Sequence, residues 1–466
     1  MQQTRVRSVV AALAMSACAF LLAPGSARAV PSFARQTGMA CEACHTVFPE
    51  LTPFGRRFKL NAYTIDNLPQ VSGITPNKEQ TLVLNQLPPL SFMFQMSYTS
   101  TKSAIPDTCA GNPDPACGGG TVPADALAKN GQVLFPQQAS LFYAGRIAPN
   151  LGAFVQMTFD GVEGAFGWDN TDIRYASNAS DKFLWGVSFN NNPTVQDVWN
   201  TTPAWQVPFD QRSATAPGPG TAAALDGGLT DAGVAGVSVY GYWNNSIYAE
   251  LGGYKSAPAA SQLDSSIDAP VVDGVAPYWR VAYEHQWDRY SWQAGAYGVN
   301  AELFPGGAAL SGPTDRFKDW ALDSQLQYIG DQHLFSILGT YIDETRNMDA
   351  TGGGLANGSD KLKTFRIGGH YFYKRTYGVA LGYFSTTGSE DAVLYPQGDP
   401  LTGYANNKPD SNGWVTELDW VPYQNTKIAL QYTMYSKFNG ASDNYDGAGR
   451  SASDNNTLYL LGWLNF

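Results

Sequence analysis

The chain has 466 residues, a formal net charge of −11 and only 15% charged residues. The negative charge argues against a nucleic-acid partner, because phosphates bind basic surfaces. Beyond the amino-terminal stretch there is no run of about 18 apolar residues, which excludes a helical membrane protein. Abundant glycine (48), tyrosine (25), phenylalanine (23) and tryptophan (12) indicate many strands joined by turns.

The amino-terminal stretch predicts a secretory signal over residues 1–29. Arg5 and Arg7 form its positive region, residues 9–22 an apolar run, and residues 27–29 a small-residue cleavage site. We therefore expect export and a mature chain beginning near Val30. Lipoprotein processing at Cys18 is the alternative, and the apolar run that continues past this cysteine argues against it.

Residues 41–45 read Cys-Glu-Ala-Cys-His, the C-x-x-C-H pattern of c-type haem attachment. Two thiols one helical turn apart can each add to a haem vinyl group, while the adjacent imidazole lies under the iron. The motif predicts one covalent haem c, attached at Cys41 and Cys44, with His45 as proximal iron ligand. A thioredoxin-like redox pair would need a βαβ context, and a structural zinc site would need more ligands nearby.

The segment around this motif, residues 30–79, is too small to bury enough apolar surface alone. We expect a minimal core around the haem and a neighbouring surface that covers it. The expected core residues are Phe48, Leu51, Phe54, Phe58 and Leu60. Arg56 and Arg57 could pair with haem propionates, although solvated positions are an equally good interpretation.

A second cysteine pair, Cys109 and Cys117, flanks a stretch rich in glycine and proline. In an oxidising compartment this spacing predicts a disulfide that closes the loop. A metal site is the alternative, and the absence of an accompanying histidine argues against it.

From about residue 80 to the end, weak period-two segments alternate with turn residues. In Thr426 to Phe438 one face carries Ile428, Leu430, Tyr432, Met434 and Phe438, and the other carries Lys427, Gln431 and Thr433. The first face therefore suits contact with lipid, and the second suits a water-filled lumen. The segments lie at about 81–101, 137–148, 151–161, 170–177, 181–191, 232–243, 246–255, 276–287, 290–302, 315–328, 332–345, 361–374, 376–388, 413–421, 426–438 and 457–466.

The fold class predicted is all-β, a transmembrane antiparallel barrel of about 16 strands after a small helical segment. Tight links such as Asn244-Asn245 and Arg375 alternate with long polar stretches such as 103–131, 192–231 and 391–412. This alternation of short and long connections indicates short periplasmic turns and long external loops in a Gram-negative outer membrane. The chain closes on Phe466, which resembles the signal that barrel-assembly machinery recognises. A soluble β-sandwich, the alternative, would not explain tyrosine and tryptophan near strand ends.

The predicted external loops carry several carboxylates. They could raise the local concentration of cations. Ordinary solvated surface charge is the alternative interpretation for each of them. The residues are Asp391, Asp399, Asp443, Asp446 and Asp454.

The motif and its flanks, PSFARQTG at 31–38 and TVFPELTPFGR at 46–56, resemble the fused monohaem cytochrome-porin family. Its best-known members are outer-membrane iron-oxidising cytochromes, and the match covers only about residues 30–63. The resemblance implies haem attachment at Cys41 and Cys44 and ligation by His45. It also implies an extracellular electron donor such as Fe(II), and a periplasmic c-type cytochrome or copper protein as acceptor.

A haem that only transfers electrons takes a second protein ligand. His370 lies on a predicted lumen face, and Met93 shares a wet face with Gln95 and Ser97, so both are candidates. His285 alternates with the lipid side, and His333 lies in a predicted turn.

We expect the haem segment to enter the periplasmic mouth of the barrel and plug it. Electron transfer is the first functional hypothesis, with Fe(II) oxidation as its favoured form. The alternatives are a solute porin whose haem segment acts as a gate or a redox sensor, and a haem enzyme such as a peroxidase. The latter needs acid-base groups that the sequence does not identify.

Overall fold

The structure is a computed structural model. It describes residues 31–65, 70–74, 81–105, 131–202, 207–210, 212–227, 229, 233–257, 270–306, 310–353, 356–398 and 400–466. The predicted signal (1–29), Cys18 and Asp399 lie outside these ranges, and so do Cys109 and Cys117, whose disulfide stays a prediction. In the ranges described, no helix has both the length and the apolar character needed to span a membrane.

Three short helices come first: α1 (Pro31–Thr37), α2 (Cys41–Cys44) and α3 (Pro53–Leu60). A two-stranded hairpin follows, made of β1 (Gln70–Ile74) and β2 (Thr81–Asn85). The other strands are β3 (Leu90–Thr101), β4 (Gln132–Ala148), β5 (Leu151–Asp160), β6 (Ala165–Ser180), β7 (Phe183–Asn190), β8 (Val234–Trp243), β9 (Ile247–Ser256), β10 (Val271–Val272), β11 (Ala276–Trp287), β12 (Tyr290–Phe304), β13 (Asp315–Ile329), β14 (His333–Met348), β15 (Asp360–Tyr373), β16 (Tyr377–Gly388), β17 (Ser411–Tyr423), β18 (Thr426–Lys437) and β19 (Thr457–Asn465).

In the described part of the chain, β3 to β9 and β11 to β19 close into one antiparallel barrel of 16 strands. The last strand pairs with the first, from Thr457 opposite Thr101 to Asn465 opposite Met93. The two-residue β10 pairs with β12 beside β11, and β9 pairs directly with β11. The predicted fold class and strand number are therefore confirmed.

The predicted strand at 81–101 is two strands instead of one. Pro88 and Pro89 separate them, and β2 pairs only with β1, outside the barrel sheet. Proline has no backbone N–H to give to a ladder, so the barrel begins at Leu90.

The alternation of faces follows the prediction within the strands. On β18, Leu430 is exposed while Gln431 and Thr433 are buried. Phe438 was predicted on the lipid face and is 1% exposed, packed against Tyr435. The reason is that β18 ends at Lys437, so the period-two rule no longer governs Phe438.

The outer surface of the barrel carries an apolar belt. A closed antiparallel barrel with an outward apolar band is the transmembrane form of bacterial outer membranes, and this protein is an outer-membrane β-barrel. Exposed aromatic rings such as Trp287, Tyr373 and Tyr377 lie at strand ends beside tight turns. Exposed aliphatic residues of the belt include Leu141, Val237, Val239, Leu251, Val281, Leu322, Ile337, Ile367, Val379, Leu381, Leu418, Leu430 and Leu460.

The tight links predicted from the sequence are turns in the structure. Asn244 and Asn245 both have φ 52°, and Lys374 and Arg375 have φ 49° and 55°. Asparagine adopts this left-handed region with less strain than most residues do.

Two of the predicted cation-attracting loop acids have a local structural role. Asp391 accepts backbone N–H groups from Val393 at 2.8 Å and Leu394 at 2.9 Å. Asp446 accepts the N–H of Leu401 at 3.0 Å. These carboxylates therefore brace the loop backbone.

We expect a charged side chain at the centre of the apolar belt to destabilise the protein in the membrane. Leu322, 51% exposed and midway along β13, lies in this outward apolar belt. Leu322→Arg should lower the free energy of unfolding in lipid vesicles by about 2–4 kcal/mol. Val393→Arg, at an exposed loop position, is the control and should stay within about 0.5 kcal/mol. Equal effects of the two changes would contradict the membrane placement of β13.

Candidate functional site in the barrel lumen

A buried arginine joins the helical segment (residues 31–65) to the inner wall of the barrel. Arg56, 1% exposed, contacts Glu284 of β11 at 2.7 Å, Ser291 of β12 at 2.7 Å and Gln327 of β13 at 2.9 Å. A buried guanidinium needs such partners because leaving it uncompensated is strongly destabilising. In the structure the Arg56 guanidinium contacts the wall and does not line the cavity of the motif, and Arg57 is exposed.

A buried carboxylate makes the second attachment. The Glu50 side chain accepts hydrogen bonds from Gln325 of β13 at 2.8 Å and Ser336 of β14 at 2.5 Å, and lies 3.4 Å from His370 Nε2. Burial alone would raise the pKa of Glu50, but His370 and the hydroxyl donors hold it below its usual value. His370 faces the lumen as predicted, yet its neighbour there is Glu50.

Two further wall strands, β6 and β8, and the turn end of the barrel also hold the segment. Tyr63 donates to Asp172 of β6 at 2.5 Å, and Tyr240 of β8 donates to the Leu60 carbonyl at 2.6 Å. The Cys41 N–H donates to Gln424 Oε1, and Arg375 donates to the Thr46 carbonyl. Gln424 and Arg375 lie in tight turns, so the segment enters the lumen at the end that carries short connections.

The Cys-x-x-Cys helix is fixed by close packing against α3. Thr52 caps α3, accepting from Gly55 N at 3.1 Å and donating to the Ala43 carbonyl at 2.7 Å. The Thr52 N–H donates to the Cys44 carbonyl. A Cβ on Gly55 would lie 2.2 Å from that same carbonyl oxygen, so only glycine allows this approach.

The imidazole of His45 is oriented by the backbone. Its Nδ1 donates to the Pro49 carbonyl at 3.1 Å, which leaves Nε2 with a free lone pair. Burial lowers the pKa of His45 to about 4, so the ring is neutral at physiological pH. Burial, with Cys41 adding to it, raises the pKa of Cys44 to about 11 and keeps the thiol protonated.

Cys41, Cys44 and His45 line one cavity of about 290 Å³ between the helical segment and the wall. Its volume is near the lower end of the range for ligand sites. The predicted core residues Phe48, Leu51, Phe54 and Phe58 line it, whereas Leu60 packs beside Trp199. Other apolar side chains around the cavity are Phe33, Met39, Tyr63, Met93, Phe142, Phe154, Phe209 and Trp463.

The connection between β7 and β8, predicted as an external loop, folds into the lumen. We call its described residues 191–202, 207–210 and 212–227 the inner loop. Trp199 is buried and donates to Glu284 at 3.0 Å, and Asn200 accepts the Leu51 N–H at 3.2 Å. The loop enters because its buried apolar residues, Trp199, Val207 and Leu225, find partners on the wall. Phe209 closes one side of the cavity.

Lys59 is a cationic residue of the cavity that the sequence analysis did not identify. Lys59 lines the cavity, and burial lowers its pKa to about 8, with Asp172 acting in the opposite direction. Its position on α3, one turn after Gly55, could have indicated a common face. Met39 and Asn200 also line the cavity, and only Met39 lies near enough to the motif to be noticed in the sequence.

No protein-family model matches the chain, and no curated protein matches it. Solved structures with a similar barrel include outer-membrane porins. Salmonella typhi OmpF in complex with daunomycin is 11% identical, with 81% of this chain and 97% of that chain covered and a TM-score of 0.46. The channel DcaP of Acinetobacter baumannii (12%; 81% and 96%; 0.43) and an anion-selective porin from Comamonas acidovorans (12%; 81% and 98%; 0.43) are also similar. The chain has a porin-like barrel, as its own strand pairing shows.

The contact between α2 and α3 predicts that Gly55 tolerates no side chain. Gly55→Ala should weaken the packing by about 1–3 kcal/mol, because a backbone oxygen cannot move aside as a side chain does. Hydrogen exchange of α3 should then be at least about fivefold less protected. Gly358→Ala is the matched control, since a Cβ there meets open space. Unchanged protection in Gly55→Ala would contradict the close packing.

Proposed function

We propose that the protein is an outer-membrane monohaem cytochrome that carries electrons from an extracellular donor to periplasmic carriers, with Fe(II) as the favoured donor. One observation carries the proposal. The two thiols and the imidazole of the C-x-x-C-H motif share an apolar cavity inside a membrane-spanning barrel. The resemblance of residues 30–63 to fused monohaem cytochrome-porins supports the same function.

The residues around the cavity fit haem c. Cys41 and Cys44 provide thiols for covalent attachment, and His45 provides a neutral imidazole whose orientation is set by Pro49. The aromatic side chains of the lining would pack against an apolar macrocycle. Lys59 offers the one cationic side chain among the described lining residues, and we assign to it the role of meeting a propionate.

Bound haem would supply a one-electron redox centre, and the chain's residues would set its surroundings. Met93 is our choice for the second iron ligand, because it lines the cavity and is buried. His370 does not line the cavity and lies against Glu50. The thioether would raise the redox potential relative to a histidine ligand.

The barrel gives the site its place in the membrane. The apolar belt insulates the two compartments electrically, so a centre held within the lumen shortens the distance that electrons must cross. We place the segment at the periplasmic mouth, because it contacts the tight turns, which are periplasmic in bacterial barrels.

The proposed function predicts that an electron donor on the external side of the membrane reduces the haem. Purified protein in liposomes, oriented with its long loops outward, should contain one haem per chain, which external Fe(II) reduces. Cys41→Ala together with Cys44→Ala should abolish covalent haem, because both thioether bonds are lost. Protein that carries no haem after secretion, or a holoprotein that external Fe(II) leaves oxidised, would refute the corresponding part of the proposal.

The choice of Met93 predicts a spectral change. Met93→Leu should convert low-spin ferric haem to a high-spin or differently ligated form, since leucine keeps the volume but offers no lone pair. His370→Gln should leave the absorption spectrum unchanged. Met39→Leu tests the other methionine that lines the cavity. A low-spin spectrum that survives Met93→Leu but not Met39→Leu would reassign the ligand.

A solute porin with a haem-bearing gate is the second candidate. The observation in its favour is the polar inner wall, where paired charges such as Arg174 with Asp172 and Arg280 with Asp323 face the lumen. In planar bilayers a porin passes ions through the holoprotein at high conductance. An electron conduit whose lumen holds the helical segment and the inner loop conducts ions poorly.

A further inference from the structure

A cluster of three carboxylates lies in the lumen, apart from the motif. Asp210 comes from the inner loop, and Glu417 and Asp419 come from β17; one oxygen of each lies within 4.8 Å of the other two. All three residues are buried. The Lys427 ammonium on β18 contacts Asp210 at 2.8 Å, Asp419 at 3.0 Å and Glu417 at 3.1 Å.

The charges of this cluster do not balance. With all three carboxyls ionised, the carboxylates carry −3 and the ammonium +1, which leaves −2 in a buried site. Uncompensated charge in a buried site is strongly unfavourable, because water no longer solvates the ion. One divalent cation would make the sum zero.

Unpaired buried oxygen atoms point to a ligand independently of the charge count. Gln431 of β18 is 1% exposed, and its amide donates to Glu417 Oε2 at 2.9 Å, which places it at the cluster. Its Oε1 has no hydrogen-bond partner among the described residues, and Asp210 Oδ2 has none either. Buried acceptors normally have partners, and oxygen atoms are the ligands that hard cations prefer.

Lys427 has room to withdraw from the carboxylates. Its side chain lines a neighbouring cavity of about 80 Å³, together with Glu42 and His45. A four-carbon stem can move the ammonium toward that cavity while the cation takes its place. The ammonium then stays close enough to balance the charge.

We propose that Asp210, Glu417 and Asp419, with the Gln431 carbonyl, form a binding site for one hard divalent cation. Carboxylate and amide oxygens without nitrogen or sulfur suit Mg²⁺, Ca²⁺ or Mn²⁺. Phe209, next to Asp210, lines the larger cavity, so the bound cation neighbours the candidate haem site. The proposal holds whether or not haem is attached.

Mn²⁺ is the probe for this site, because the electron paramagnetic resonance signal of the free ion is lost on binding. The purified full-length protein should bind one tight Mn²⁺ per chain. Glu417→Gln and Asp419→Asn should each weaken this binding at least tenfold, since each removes a ligand charge but keeps the side-chain shape. Asp443→Asn, at an exposed loop position, is the control and should leave the affinity unchanged.

Two further variants make the outcome decisive. Lys427→Met should bind Mn²⁺ at least as tightly as the wild type, because it removes the competing ammonium. Cys41→Ala with Cys44→Ala should bind Mn²⁺ normally, which separates this test from the haem proposal. Absence of tight binding in the wild type, or binding that Glu417→Gln and Asp419→Asn do not affect, would overturn the proposal and indicate carboxyls neutralised by protons.

Discussion

Buried charge determines where the helical segment can sit. Arg56 and Glu50 are buried inside the lumen, and each has hydrogen-bond partners on the wall formed by β11 to β15. A guanidinium or carboxylate moved a few ångströms away would lose these hydrogen bonds without regaining water. The segment therefore has one docked position, and the position of the Cys-x-x-Cys-His motif follows from it.

The cavity exists because two parts of the chain enter the same lumen from different directions. The helical segment comes from the turn end, and the inner loop comes from the connection between β7 and β8. Their contact at Leu51 and Asn200 leaves an apolar space inside an otherwise polar barrel. Such a space stabilises an apolar macrocycle better than an open aqueous channel would.

The barrel strands could be predicted because a two-sided wall imposes period two on the sequence. Ile367 and Tyr371 face outward and His370 faces inward, as their alternation indicates. The inner loop could not be predicted in this way. Its composition is as polar as that of an external loop, and its direction depends on wall partners such as Glu284 for Trp199. Likewise, nothing in the sequence distinguishes Arg56 from a surface arginine. Its partner Glu284 is distant in the sequence and comes beside it only in the folded protein.

The sequence by itself determined the Cys-x-x-Cys-His motif, the lumen-facing side of Met93 and His370, and a barrel of about 16 strands, because these depend on spacing within short segments. Only the tertiary structure decided which of these residues meet. It brought Met93 to the cavity of His45, left His370 with Glu50, and gathered Asp210 with Glu417 and Asp419. The physical reason is that contacts across a closed barrel join residues far apart in the chain, which local periodicity does not encode.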